Sequence, residues 1–548
     1  MQFKKNHILK SFTLLTIGVL TACSDSNDTV VDNTSTLSGS VFASTVSDAA
    51  CEITDANGMT VAGPFSTMAD GTYSVNLPND GLSQDLILSC SGGTFTDEAS
   101  GLVDQMAGKL AVYLPSGSGT QVHATPSTTI IHDLVINHAM SLSDAEMAFA
   151  DAFGYIPDSS VTPVDATQAN DGANNPQFLA GLRAAAFSQL AMDLGLQATE
   201  QFHLFSALAQ DLSDGSLDGQ DGSGTITIAT TNTTVPADIQ NRFTQALVGF
   251  HSSDNNQTGL GTNQIGTLSF AKMALTTSYK IEYVAGMMEA MEGKTSFKLN
   301  VTDAVSGAAV TNQDITLMPM MHMPTHHHGT PVGTCINNGD GSHDCSVYYL
   351  MPSRMMNGMS MGYWDLEVTV GGMPGEMAHF YPQVMMAMGG DSVQARLKGQ
   401  LDEIEGMAME EGGMPMPEKR TYYLFKDQLT GMTGNHSLEL FIAAKQSMES
   451  YPGVYAGKIL NMGDLDYALT ISSMSVEVST DEINWITATD NGTGHWVADG
   501  ITGLTDGTAG TVHLKLTVNG EQKTTNGAVP AGDGTNDYTR FTITPMAM

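Results

Sequence analysis

Through 38–115 apolar and polar residues alternate in short runs, as at 72–77 and 85–90, broken by turn formers such as Asn57 and Gly58; the pattern predicts a small antiparallel β-sandwich. The period then lengthens. From 120 to 275 apolar residues recur at three and four, most clearly over 178–187 and 201–212, and predict an α-helical domain, with Ser143 and Glu146 in capping-box spacing ahead of Met147, Phe149 and Phe153. Single alternation returns after 276 and does so twice: 293–301 parallels 434–442 at an offset of 141, and 364–372 parallels 512–520. All four segments read as strands with one buried face, so two further sandwiches are expected, at 276–398 and 420–548. Between them, 399–419 mixes Met407, Met409, Met414 and Met416 with Glu403, Glu405, Glu410 and Glu411 among glycines and prolines, and reads as a mobile loop. The expected fold is multidomain and mainly β, with Ig-like antiparallel β-sandwiches and one α-helical domain, in keeping with a length of 548 residues.

The N-terminus adds an address. Lys4, Lys5 and Lys10 precede the apolar run 12–20, and Leu20, Thr21, Ala22 and Cys23 follow. A charged start, a short apolar stretch and small residues before the cut make a secretory signal peptide over 1–22, too short to cross a bilayer as a mature helix. The last four of these residues look like a bacterial lipobox, which implies that Cys23 becomes the lipidated first residue of the mature chain. Ser24 rather than Asp in the next position favours, by the same resemblance, the outer membrane. Residues 23–37 are nearly all polar and form a tether. The lipid is the only membrane attachment expected, because no later stretch has about eighteen uninterrupted apolar residues.

Charge and cysteine usage narrow the class. The 58 acidic residues outnumber 21 Lys and Arg, and a net charge of −37 repels nucleic acid while concentrating cations, so no nucleic-acid partner is expected. Beyond Cys23, four cysteines form two local pairs, Cys51 with Cys90 and Cys335 with Cys345, as an oxidising compartment permits. The second pair flanks a turn sequence at 337–342; a disulfide is the first reading there, and metal ligation with His343 the alternative.

The chemistry concentrates in the third segment. Met318, Met320, Met321, His322, Met323, His326, His327 and His328 fall within eleven residues, with Pro319 and Pro324 expected to keep the run out of helices and central strands. Further methionines follow at Met351, Met355, Met356, Met359 and Met361, then Met377, His379, Met385, Met386 and Met388. Thioether beside imidazole is the donor set that suits copper, Cu(I) above all, whereas zinc would not call for the methionines. An adaptable apolar surface is the competing reading of so many methionines. The missing alternation in the run, the adjacent histidines, and a second copy that carries only 457–463 in the corresponding place argue for a metal.

Residues 297–303, 314–322 and 359–370 resemble, in that order, the opening, site-bearing and returning strands of the YtkA-like family, which is related to FixH and to periplasmic copper-binding sandwiches. The resemblance implies a sandwich rim at which Met320, His322, Met323, Met359 and Met361 converge on copper, with Met318 and His326, His327 and His328 as a second, more exposed site. The inserted histidines and cysteines depart from the family pattern and suggest several ions. Separately, Asp70, Gly71, Thr72, Tyr73, Ser74 and Val75 resemble part of the carboxypeptidase regulatory-like domain, which implies a structural module at 38–115.

Asp214, Ser216 and Asp218 match the first half of a calcium loop, but Thr225 stands where a bidentate Glu is needed, so an acidic turn is the first reading and calcium the second. No nucleotide loop, Gly-x-Ser-x-Gly elbow or paired carboxylates stand out, and an enzyme is not expected. The chain reads as a lipid-anchored copper-binding protein that captures, buffers or delivers the ion, with an envelope copper-handling protein as partner. An adhesion or scaffold lipoprotein, with Trp485 and Trp496 as sugar-contacting aromatics, is the alternative. A blue-copper enzyme would require Cys335 and Cys345 to be free.

Overall fold

The computed structural model describes residues 35–546 apart from 79, 171, 223, 373 and 407–414. The signal peptide, Cys23, and Met407, Met409, Glu410, Glu411 and Met414 of the expected loop therefore lie outside the described residues. The protein is multidomain and mainly β, with its α-helices, among the described residues, confined to 126–252.

In the first module Ser35–Val41 pairs antiparallel with Thr72–Leu77 and parallel with Gln121–Ala124. A four-stranded sheet of Thr60–Ser66, Ala50–Asp55, Leu86–Ser91 and Leu110–Leu114 accompanies it. Two expected boundaries move. The tether is shorter at its end, because Leu37 is fully buried and Ser35–Leu37 are already in strand. Gln121–Ala124, expected in the helical domain, belongs to the sandwich because Val122 and Ala124 bury against it.

The helices Pro126–Ile136, Leu142–Phe153, Asn175–Asp193, Gln201–Leu212 and Ile239–Ser252 pack onto this sandwich, and one core holds both: Ile53, Leu88 and Val122 join Phe149, Phe187 and Phe243. The two expected domains thus share one hydrophobic core. The helix at Leu142 starts earlier than expected, since Ser141, not Ser143, accepts the Asp144 N–H at 3.1 Å.

The third and fourth modules repeat one another. In the third, the sheet order is Met273–Leu275, Tyr279–Ala285, Gly293–Asp303, Ser342–Tyr349 and Val332–Asn337; in the fourth it is Gln394–Glu405, Pro417–Met432, Asn435–Ala444, His495–Ile501 and Thr489–Asp490. Their second sheets run His327–Gly329, Ile315–His322, Tyr363–Val370 and Glu376–Phe380, against Ile486–Thr487, Met474–Ser479, Gly510–Val518 and Glu521–Gln522. Both pairs of segments matched in the sequence occupy equivalent places. The counterpart of the Met/His strand is Met474–Ser479, not 457–463 as expected, and it carries one methionine and no histidine.

The expected loop at 399–419 is largely a hairpin: Glu403 pairs with Lys419, Ile404 with Glu418 and Glu405 with Pro417. Its acids alternate with buried residues, Ile404 being fully covered. Cys51–Cys90 and Cys335–Cys345 are disulfides between directly opposed strand positions, which places the chain in an extracytoplasmic, oxidising compartment. Among the described residues no helix is long and apolar enough to cross a membrane.

Candidate metal centre

The strand Ile315–His322 alternates after all. Leu317, Pro319 and Met321 are buried while Met318, Met320 and His322 are exposed or half-buried on the other face. Methionine is apolar enough to stand on either side, which hid the period. Pro319 is tolerated inside the strand because its pairing with Leu366 occupies one side only; the other neighbour, His327–Gly329, begins at Met320. Met321, taken above as a ligand, lies fully buried opposite Trp364, in the core with Leu366 and Val368. Here the space-filling role wins.

The short strand His327–Gly329 sends its histidines to opposite faces, with His328 opposite Met321 and His327 opposite His322. His328 is buried at the end of the sandwich, edge-on to the Trp364 ring at 5.6 Å. Its Nδ1 lies 2.7 Å from the Gly329 carbonyl, so in the neutral ring Nδ1 carries the proton and donates it, leaving a bare lone pair on Nε2. That Nε2 is 3.3 Å from Met351 Sδ. With metal–nitrogen and metal–sulfur bonds of about 2.0 and about 2.3 Å, such a separation subtends about 100° at one ion, near a tetrahedral angle. Burial pushes the His328 pKa below the ordinary imidazole value, which keeps the ring neutral and ready to ligate. Trp364 Nε1 donates to the Met351 carbonyl at 3.1 Å and anchors that residue. Met323 and Met361 are part-buried against the same core.

The outer face of the four-stranded sheet holds a second group. His322 stacks on Tyr363 with centroids 4.9 Å apart and stands 6.4 Å from the His327 ring. His379 Nδ1 lies 3.0 Å from both Asp365 oxygens, and Asp365 is the cross-strand neighbour of Met320. The hydrogen bond to Asp365 holds the His379 pKa above its ordinary value, whereas burial lowers that of His322. His327 Nε2 lies 3.1 Å from Glu449 Oε1 of the fourth module. Met318 and Met377 are exposed.

Met355 and Met356 join Met385, Met386 and Met388 around a cavity of about 780 Å³ that no histidine lines. Met359 is exposed in the same loop.

The five residues expected to converge therefore divide: Met320 and His322 face outward, Met323 and Met361 pack part-buried against the core that holds Met321, and Met359 is in the loop. His326, half-buried, bonds Thr325 Oγ1 through Nδ1 at 3.0 Å. Two residues outside the expected ligand set enter it. Met351 stands two positions beyond the apolar end of Ser342–Tyr349, and Asp365 alternates with Glu367 on the polar side of its strand; both signals were available.

The 214–218 loop is held by Asp211, which accepts the Asp218 and Gly219 N–H groups, while Asp214 accepts from Ser216 and Asp218 from Gln220. Its carboxylates are thus engaged with backbone N–H groups, as an acidic turn requires. Asp427, Glu439 and His495 form the group of three close acidic and imidazole ligands found among the described residues, and Lys294 is ion-paired with Asp427. Cys335 and Cys345 are consumed in their disulfide, so neither ligates with His343, and no thiol is free among the described residues. Trp496 is core, not a sugar platform, and donates to the Val454 carbonyl.

No family model matches the chain, and no curated protein matches it. Among solved structures, domains 4–9 of surface layer protein SbsC align at 12% identity and TM-score 0.15, over 51% of this chain and 33% of that one. S. aureus TarS aligns at 9% identity and TM-score 0.14, over 59% and 58%. An endo-fucoidan hydrolase of glycoside hydrolase family 107 aligns at 10% identity and TM-score 0.13, over 76% and 60%. The chain thus spans a third to about three-fifths of these structures, and likeness at such TM-scores carries no argument.

Proposed function

We propose that this chain is a lipid-anchored protein of the bacterial envelope that binds copper through the Met and His side chains of its third module, for capture, buffering or delivery. The observation that carries the reading is the pair His328 Nε2 and Met351 Sδ, two lone pairs 3.3 Å apart with the ring's proton committed to the Gly329 carbonyl. Such an arrangement has little use in a dry core and is what a soft cation requires, with the imidazole's other nitrogen fixed by a carbonyl as in established metal sites. Met323 and Met361 supply further thioethers, and the outer-face imidazoles His322, His327 and His379 suit Cu(II). The YtkA-like resemblance of 297–370 points the same way, and Cys23 is the proposed lipid attachment in the outer membrane.

Competition with a chromophoric Cu(I) chelator, run on the purified mature chain and on His328→Ala and Met351→Ala variants, tests this. Cu(I) should bind at micromolar affinity or better, at about −8 kcal/mol, and each variant should weaken the tightest site at least about tenfold, a loss of about 1.4 kcal/mol. Unchanged affinity in both variants would discard the reading.

A further inference from the structure

A cavity of about 380 Å³ in the helical module has no part in the metal sites. It opens between the first turns of Pro126–Ile136 and Asn175–Asp193 and the 155–161 segment. Ile156, Pro157, Val161, Leu179 and Ala180 give it an apolar wall.

Arg183 lines the same cavity. Its guanidinium carbon stands 3.8 Å from the centroid of the Tyr155 ring, and the Tyr155 hydroxyl is fixed by Ser127 Oγ at 2.8 Å. Arg183 Nε is buried with no hydrogen-bond partner, and no carboxylate among the described residues pairs with the group. Of the other five arginines three pair with a carboxylate, Arg242 with Asp238, Arg420 with Asp402 and Arg540 with Glu482, while Arg354 bonds the Thr267 hydroxyl and Arg396 lies over the Tyr423 ring; what sets Arg183 apart is a buried Nε without a partner. Burial lowers the Arg183 pKa, and only the Tyr155 phenol counters that loss. A half-buried guanidinium whose Nε is fully covered and unpartnered carries a desolvation cost that a bound anion would offset.

The two helix ends do not supply the attraction, since Thr125 and Asn174 already accept the Thr128 and Gln177 N–H groups. The positive charge an anion would meet is that of Arg183. Gln264, exposed at the edge of the cavity, accepts the Gly261 N–H at its Oε1, and its amide Nε2 has no partner among the described residues. Asp158, also on the lining, accepts from Ser160 and disfavours a ligand with more than one negative charge.

We propose that this cavity binds a small monocarboxylate with an apolar body, the carboxylate paired with the Arg183 guanidinium and the body lying against Ile156, Val161, Leu179 and Ala180. Planar bidentate pairing is what the guanidinium fork offers a carboxylate.

Benzoate and hexanoate, titrated into the full mature chain by calorimetry, test this, with benzamide and inorganic phosphate as controls. At least one carboxylate should bind saturably at one site, about tenfold or more tighter than benzamide and phosphate. Arg183→Met should abolish binding by removing the charge, and Ala180→Phe should abolish it by filling the space with Arg183 intact. Each should keep the copper affinity of the parent, which separates this site from the metal sites. If Arg183→Met fails to fold, Ala180→Phe decides alone. No saturable binding by the parent, equal binding of benzamide or phosphate, or carboxylate binding that survives in a folded variant would overturn the proposal.

Discussion

Arg420 Nε lies 2.8 Å from Asp402 Oδ1, and both side chains are buried at the base of the hairpin that opens the fourth module. The remaining guanidinium donors reach Asn461 Oδ1 and the Lys445, Glu403 and Tyr467 carbonyls, while Asp402 Oδ2 accepts from Tyr422 at 2.5 Å. Every donor of the fork is used, so the pair sets the register of two strands against the rest of the module. Asp402→Ala should cost about 3–5 kcal/mol, because it strands a buried charge. The double change Arg420→Met with Asp402→Leu should cost less than either single change. Urea unfolding of the three variants gives the comparison, and equal losses would contradict the role assigned to the pair.

The two disulfides close loops of different length, 39 residues for Cys51–Cys90 and 10 for Cys335–Cys345. Loop-closure entropy alone then assigns about 4 kcal/mol to the first and about 3 kcal/mol to the second. Paired Cys→Ala variants should follow that order in thermal unfolding. The second variant should also keep Cu(I) binding, since His328 and Met351 are not held by that bond.

Alternation with a period of two carried the strands of both repeats, and the cysteine pairs were legible from spacing alone. The same rule failed at Met318–His322 because methionine satisfies a buried and an exposed position equally well, and because Pro319 sits where only one neighbouring strand needs its backbone. The boundary at 115–120 was invisible for another reason: Gln121–Ala124 is four residues long and pairs with a strand some eighty positions earlier, so no local window records it. At the candidate site the residue types were legible and their grouping was not. Whether His327 or His328 faces the core depends on the strand register, which the run of three identical side chains conceals.

Met321 and Met318 separate packing from ligation within one strand. Met321 is fully buried opposite Trp364, whereas Met318 is 48% exposed. Met321→Ala should therefore cost about 2–5 kcal/mol, through lost transfer energy and the cavity left behind. Met318→Ala should change stability by less than about 0.5 kcal/mol. Met321→Leu should leave Cu(I) affinity unchanged, whereas Met351→Leu, equally conservative in volume, should weaken it. A loss of affinity in Met321→Leu as large as that in Met351→Leu would return Met321 to the ligand set.

His379 and His328 should titrate on opposite sides of the ordinary imidazole value near about 6.5. The Asp365 hydrogen bond raises the first, and burial lowers the second. For His379 the folded value exceeds the unfolded one, so its stabilisation is complete below about 6.5 and is lost as pH rises through the raised folded value. For His328 the folded value is the lower one. A buried neutral imidazole takes up its proton more readily when unfolded, so it destabilises the fold as pH falls below about 6.5 and down through its depressed value. The two effects are readable separately in the metal-free chain by proton–carbon correlation spectra of the imidazole rings. Asp365→Asn should move the His379 midpoint down and leave His328 where it is. The same ordering bears on metal capture, because a proton held on His379 competes with an ion on the outer face at a pH where His328 is already bare. Acidification should therefore release Cu(II) from the outer face before it releases Cu(I) from His328 and Met351, and the reverse order would refute the assignment of the two sites.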